Sequence, residues 1–131
     1  MKWCLLTVIA VSISLFAGQS IASSQLAQTI NCNKATNTVE INECTARAAK
    51  AADRQLNQAY QKLQPKLSTQ QKQRLTQAQL DWIKFRDRTC EYEAGQWQGG
   101  TGANSAYLSC LARVTTQRTA DLQRYLEFLS L

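Results

Sequence analysis

The stretch Asp81-Trp82-Ile83-Lys84-Phe85-Arg86-Asp87-Arg88-Thr89-Cys90 constrains the fold more than any other part of the chain. Trp82, Phe85 and Thr89 recur at helical spacing, and Leu75 and Ala78 lead into them along the same line. The pattern predicts a helix with Trp82 and Phe85 in the core. It brings its own charges and ends in a cysteine that can anchor it covalently.

The start of this helix is marked by Ser68-x-x-Gln71, a capping box. A second such signal, Asn37-x-x-Glu40, opens an earlier helix whose stripe is Ala48, Ala52, Leu56, Ala59 with Tyr60, and Leu63. That helix runs to Gln64, and Pro65, which cannot continue it, ends it. The helix carrying the central stretch should run to about Glu93. Gly95, Gly99, Gly100 and Gly102 then open a loop closed by Asn104-Ser105. A third helix begins near Ser105, with Tyr107, Leu111, Val114, Arg118, Leu122, Tyr125 and Leu129 on one face. No strand-like alternation appears after residue 22. The expected fold is all-α, a small three-helix bundle.

The N-terminal residues read differently. Met1-Lys2 is a positive start, Trp3 to Ala17 is apolar, and Ser20-Ile21-Ala22 offers small residues around a cleavage point. This is the layout of a signal peptide over residues 1–22, and its apolar run is short for a membrane span. Residues 23–131 are then the exported domain, with no transmembrane segment after cleavage. No cysteine follows the apolar run closely enough for lipid attachment, so the expectation is a soluble periplasmic or secreted protein. Ser23 to Asn33 is a polar lead-in that Cys32 would tie down.

Of five cysteines, Cys4 leaves with the signal peptide, and Cys32, Cys44, Cys90 and Cys110 remain. An even set in an exported domain points to two disulfides, for which three pairings exist. Cys32–Cys44 and Cys90–Cys110 are favoured, because each brackets one irregular segment beside a helix end. With no histidine and no Cys-x-x-Cys pair, neither a metal site nor a cofactor is expected.

The balance of fifteen Lys and Arg against nine Asp and Glu gives +6. Losing Lys2 leaves about +5, which suits a soluble envelope protein or attraction to anionic envelope polymers. The basic residues Lys34, Lys50, Lys62, Lys66 and Lys72 are dispersed rather than clustered with aromatics, which argues against nucleic acid.

Asp53 and Asn57 lie one turn apart beside the first stripe, Arg86 and Asp87 flank the aromatic face, and Arg118 sits within the third stripe. A charge on a core stripe must find a partner. These five are therefore expected to form a polar network across the bundle, with Arg118 facing Asp53 or Asp87. Catalysis is not expected: histidine is absent, the cysteines serve as disulfides, and no nucleophile elbow or phosphate-cradling loop is present. Trp97, in Gly95-Gln96-Trp97-Gln98-Gly99-Gly100, is the leading contact residue, since a large aromatic on a tethered loop makes a good binding anchor. It could instead fold back over the end of the bundle.

Taken together, Asp53-x-x-Leu56-Asn57-x-x-Tyr60, Leu75-x-x-Ala78-Gln79-x-x-Trp82-x-x-Phe85-Arg86-Asp87-x-x-Cys90, the Gly99–Thr101 loop, Cys110-Leu111, Arg118 and Leu122 form one pattern. It resembles the lysozyme inhibitor LprI family from about Cys32 to Leu122. The resemblance implies an exported, disulfide-bonded helical domain that binds and inhibits lysozyme. Because c-type lysozymes are basic, a chain near +5 meets net repulsion that a local acidic patch would have to overcome. Glu91 and Glu93, beside Trp97, Gly99 and Gly100, are the candidates. An envelope structural or adaptor module, or a polyanion-binding one, is the alternative.

Overall fold

A computed structural model describes residues 30–131. The signal-peptide reading of residues 1–22 and most of the polar lead-in lie outside the described residues. Three long helices make up almost all of the rest: α1 (Thr38–Leu63), α2 (Thr69–Gly95) and α3 (Ala103–Phe128). Short 3-10 turns at Cys32–Lys34 and Gln64–Lys66 precede and follow α1, and no strand occurs among the described residues.

The helix boundaries follow local chemistry. The Asn37 side chain accepts from the Glu40 backbone N–H at 2.9 Å, while the Glu40 carboxylate reaches one residue further back, to the Thr36 N–H. Ser68 and Gln71 close both halves of a capping box. Pro65 sits in the 3-10 turn after α1. The third helix starts at Ala103, two residues before the sequence suggests, because Gly102 stands at its N-cap. Ser105, already within the helix, donates its hydroxyl to the Gly102 carbonyl at 2.9 Å.

Both disulfides form, Cys32–Cys44 and Cys90–Cys110. The first ties the N-terminal turn to α1, where Arg47, paired with Glu43, also donates to the Ile30 carbonyl. The second ties the end of α2 to the start of α3.

α3 packs against both other helices, most extensively against α1. The two facing sides are built from small residues: α1 buries Ala49, Ala52 and Ala59, and α3 buries Thr115 and Thr119. Small side chains let helix axes approach closely. Leu56, Leu63 and Leu122 fill the end near the α1–α2 turn, with Leu75, Trp82 and Leu126 packed against them. Cys90, Cys110 and Val114 form a second cluster, and Trp82 touches both.

Several expected core positions move. Ala49 rather than Ala48 begins the buried stripe of α1, and Tyr125 and Leu129 are largely exposed. The largest correction is Phe85, which is 60% exposed. The disulfide supplies the reason. Cys90 must face Cys110, and at about 100° per residue Phe85 lies about 140° round the helix from Cys90. The positions that turn inward with Cys90 are Leu75, Gln79, Trp82 and Arg86, so Arg86 takes the inward place assigned to Phe85.

Leu122 is fully buried, and truncating it should leave a cavity. Leu122→Ala is expected to cost about 3 kcal/mol in urea unfolding of the oxidised protein. Thr115 is equally buried but its hydroxyl has no partner among the described residues. Replacing it by an isosteric apolar group removes an unmet polar atom, so Thr115→Val should be neutral or stabilising in the same assay.

Candidate functional site

Two surfaces gather the residues singled out in the sequence. One is the connection between α2 and α3. The chain leaves α2 through a run of tight backbone bonds: Trp97 N–H to the Ala94 carbonyl at 2.9 Å, Gln98 N–H to Gly95 at 3.3 Å, and Gly100 N–H to Trp97 at 3.0 Å. Gly99 adopts φ of +81°, a conformation that disfavours a side chain. With Cys90 and Cys110 joined behind it, the loop has a defined shape. The Trp97 ring lies against Gly102, where a Cβ would stand 3.2 Å from its Cε3, yet the residue remains 57% exposed. One part of the indole is seated against Gly102 and the rest faces solvent, so the ring folds back only in part.

The acidic pair beside the loop is divided. Glu93 is held in an ion pair by Arg113, which also contacts the Cys110 sulfur at 3.7 Å. Glu91 is exposed and has no cation partner among the described residues.

The second surface lies between α1 and α2. These helices do not pack backbone against backbone, and side chains bridge them instead. Arg86 is the main bridge. Its guanidinium meets Asp87 at 2.8 Å and Asp53 at 3.4 Å, and its carbon Cζ sits 5.3 Å from the centre of the Trp82 ring. Tyr60 and Thr76 share a hydrogen bond of 3.0 Å further along. Arg118 does not reach either aspartate; its Nε donates to Gln79 Oε1 at 3.0 Å. The cation expected opposite Asp53 and Asp87 is thus Arg86. It lies on the inward line fixed by Cys90, whereas Arg118 on α3 meets the amide presented by Gln79. Only 17% of the Arg86 side chain is exposed, so it depends on these partners, since an unpaired buried charge is costly.

Asp53, Leu56, Asn57, Tyr60, Thr76, Gln79, Leu80, Trp82, Ile83 and Arg86 line a groove of about 350 Å³ between the two helices. Sequence reasoning named Asp53, Asn57 and Arg86 as internal structure and missed the concavity. Helical periodicity shows which residues share a face but not that two helices stand apart.

The outward side of α2 carries Phe85 and Tyr92, 60% and 72% exposed, among Asp81, Lys84 and Arg88. Hydrogen bonds from Gln77 and then Lys84 hold the Asp81 carboxyl below its ordinary range. Such a group adds stability above its unfolded pKa and loses it as pH falls through the folded value. Asp81 is exposed, and its contribution is screened.

Among the described residues no cluster of His, Cys, Asp and Glu could hold a metal ion, and no helix is long and apolar enough to cross a membrane. Disulfides of this kind fit an extracytoplasmic location.

The contact between Trp97 and Gly102 can be tested directly. Gly102→Ala should move the indole N–H resonance of Trp97 while leaving that of Trp82 in place. Little change is expected in melting temperature, because the ring can give by a few tenths of an ångström.

A protein of Rhizobium meliloti (strain 1021), itself described as uncharacterized, is 29% identical over 110 residues, spanning 74% of this chain and 79% of the relative. No solved structure matches. The family described as Lysozyme inhibitor LprI matches residues 31–122, from the turn at Cys32 to the buried Leu122 and including both disulfides. By that match, this chain belongs to the lysozyme inhibitor LprI family.

Proposed function

We propose that this is an exported, non-enzymatic protein that inhibits lysozyme by direct protein–protein contact. In this reading, residues 1–22 are removed and the domain acts as a soluble periplasmic or secreted protein without a lipid anchor. The loop between α2 and α3 is presented to the enzyme, with Trp97 as anchor, Gly99 and Gly100 shaping the turn, and Glu91 as the open carboxylate. Family membership supports the activity. The observation that carries the choice of surface is the half-seated, half-exposed indole on a loop closed by Cys90–Cys110. A pre-shaped aromatic loses little freedom on binding, which favours affinity. Glu93 acts in this reading by holding Arg113 rather than by touching the enzyme. The absence of histidine and the use of Cys32, Cys44, Cys90 and Cys110 in disulfides support a role without catalysis.

A second reading, a polyanion-binding envelope module, is favoured by a separate observation. Lys50, Arg54, Lys62, Lys66, Lys72 and Arg74 meet no carboxylate among the described residues. Salt separates the two, because screening weakens attraction between exposed charges.

The oxidised protein is expected to inhibit cell-wall lysis by a c-type lysozyme in a dose-dependent manner that survives added salt. Trp97→Ala should raise the inhibition constant by about tenfold or more with the helical circular dichroism unchanged, and Glu91→Ala should have a smaller effect. Absence of inhibition, with salt-sensitive binding to an anionic cell-wall polymer, would establish the second reading.

A further inference from the structure

The inhibitor reading sets a charge problem, and the groove between α1 and α2 offers a solution to it. A chain with fifteen Lys and Arg against nine Asp and Glu must approach a basic enzyme. Like charges slow such an encounter unless acidic groups stand at the contact. Four of the nine carboxylates are committed to cations elsewhere: Glu43 to Arg47, Asp81 to Lys84, Glu93 to Arg113, and Asp121 to Arg124.

Asp53 differs. Its cation, Arg86, lies closer to Asp87, at 2.8 Å against 3.4 Å, and 57% of the Asp53 side chain is exposed. With Asp87 opposite Arg86, the negative charge left over at this junction belongs to Asp53, on the rim of the groove. Leu56, Leu80 and Ile83 give the walls an apolar stretch, and Asn57 adds a polar side chain beside Asp53. At about 350 Å³ the space is near the small end of ligand sites, which suits one side chain better than a helix.

We propose that this groove receives a lysine or arginine side chain of the protein partner. The aliphatic stem lies along Leu56, Leu80 and Ile83, and the cationic head meets the Asp53 carboxylate and the Asn57 side-chain oxygen. Long basic side chains are built for such sites, with an apolar stem and a charged tip. An anionic occupant is disfavoured because Arg86 already faces two carboxylates. A sugar ring would look for an open aromatic face, but Arg86 lies over Trp82.

This inference rests on the reading of the chain as a protein-binding inhibitor, and its test is kept independent of lysozyme. Nα-acetyl-arginine methylamide is titrated into the ¹⁵N-labelled, oxidised protein, with the citrulline analogue as a neutral control of nearly the same shape. Arginine should shift the backbone amides of Asp53, Asn57, Leu80 and Ile83, citrulline should not, and Asp53→Asn should abolish the response. Equal shifts with citrulline, shifts confined to other surfaces, or no shifts would overturn the proposal. In the lysis assay Asp53→Asn should weaken inhibition by about threefold to fivefold, as for a partly exposed ion pair. Native inhibition without groove shifts overturns the groove alone. Arginine-specific groove shifts without native inhibition support the groove and overturn the inhibitor reading.

Discussion

The Cys90–Cys110 bond sets the rotation of α2, and the surfaces of the molecule follow from that angle. With Cys90 turned to α3, Trp82 and Arg86 come inward while Phe85 and Tyr92 turn to solvent. Packing alone specifies this less firmly, since Cys90 is the one fully buried residue of α2, whereas α1 buries five. On the chain-entropy model a loop of this length contributes about 3 kcal/mol. For a small domain that is a large share of total stability, typically about 5–15 kcal/mol.

The bundle is consequently asymmetric. α1 and α3 meet through alanines and threonines over a long, close contact, while α2 is held by its disulfide, by Trp82 and by the Arg86 bridge. Space remains where α2 stands away from α1, and long side chains cross it. Arg86 is well suited to that task. Its planar guanidinium can meet two carboxylates and lie over an aromatic ring at once, which a lysine ammonium cannot do equally well.

Much of this was legible in the sequence, and what was not has a common cause. Ser68-x-x-Gln71, Asn37 and Pro65 marked helix ends because capping and proline act locally. The disulfide pairing followed from helix ends brought near one another. Phe85 was misplaced because a 3–4 spacing of apolar residues fits two neighbouring faces, and hydrophobicity favoured the one with the larger ring. Cys90, read as the reference for rotation, selects the other. Thr115 and Thr119 were overlooked for a similar reason: close helix contact rewards small size, which an apolar pattern does not register. The groove depends on the distance between helices, a quantity absent from any single-helix pattern.

The small share of α2 in the core has a consequence for where the protein can work. In a compartment that keeps thiols reduced, α1 and α3 would retain their mutual contact, but nothing covalent would hold the angle of α2. The loop bearing Trp97 and the groove bearing Asp53 would then lose their common reference together. Oxidation thus fixes the placement of both surfaces at once, and a reduced copy of the chain would keep its helices without that placement.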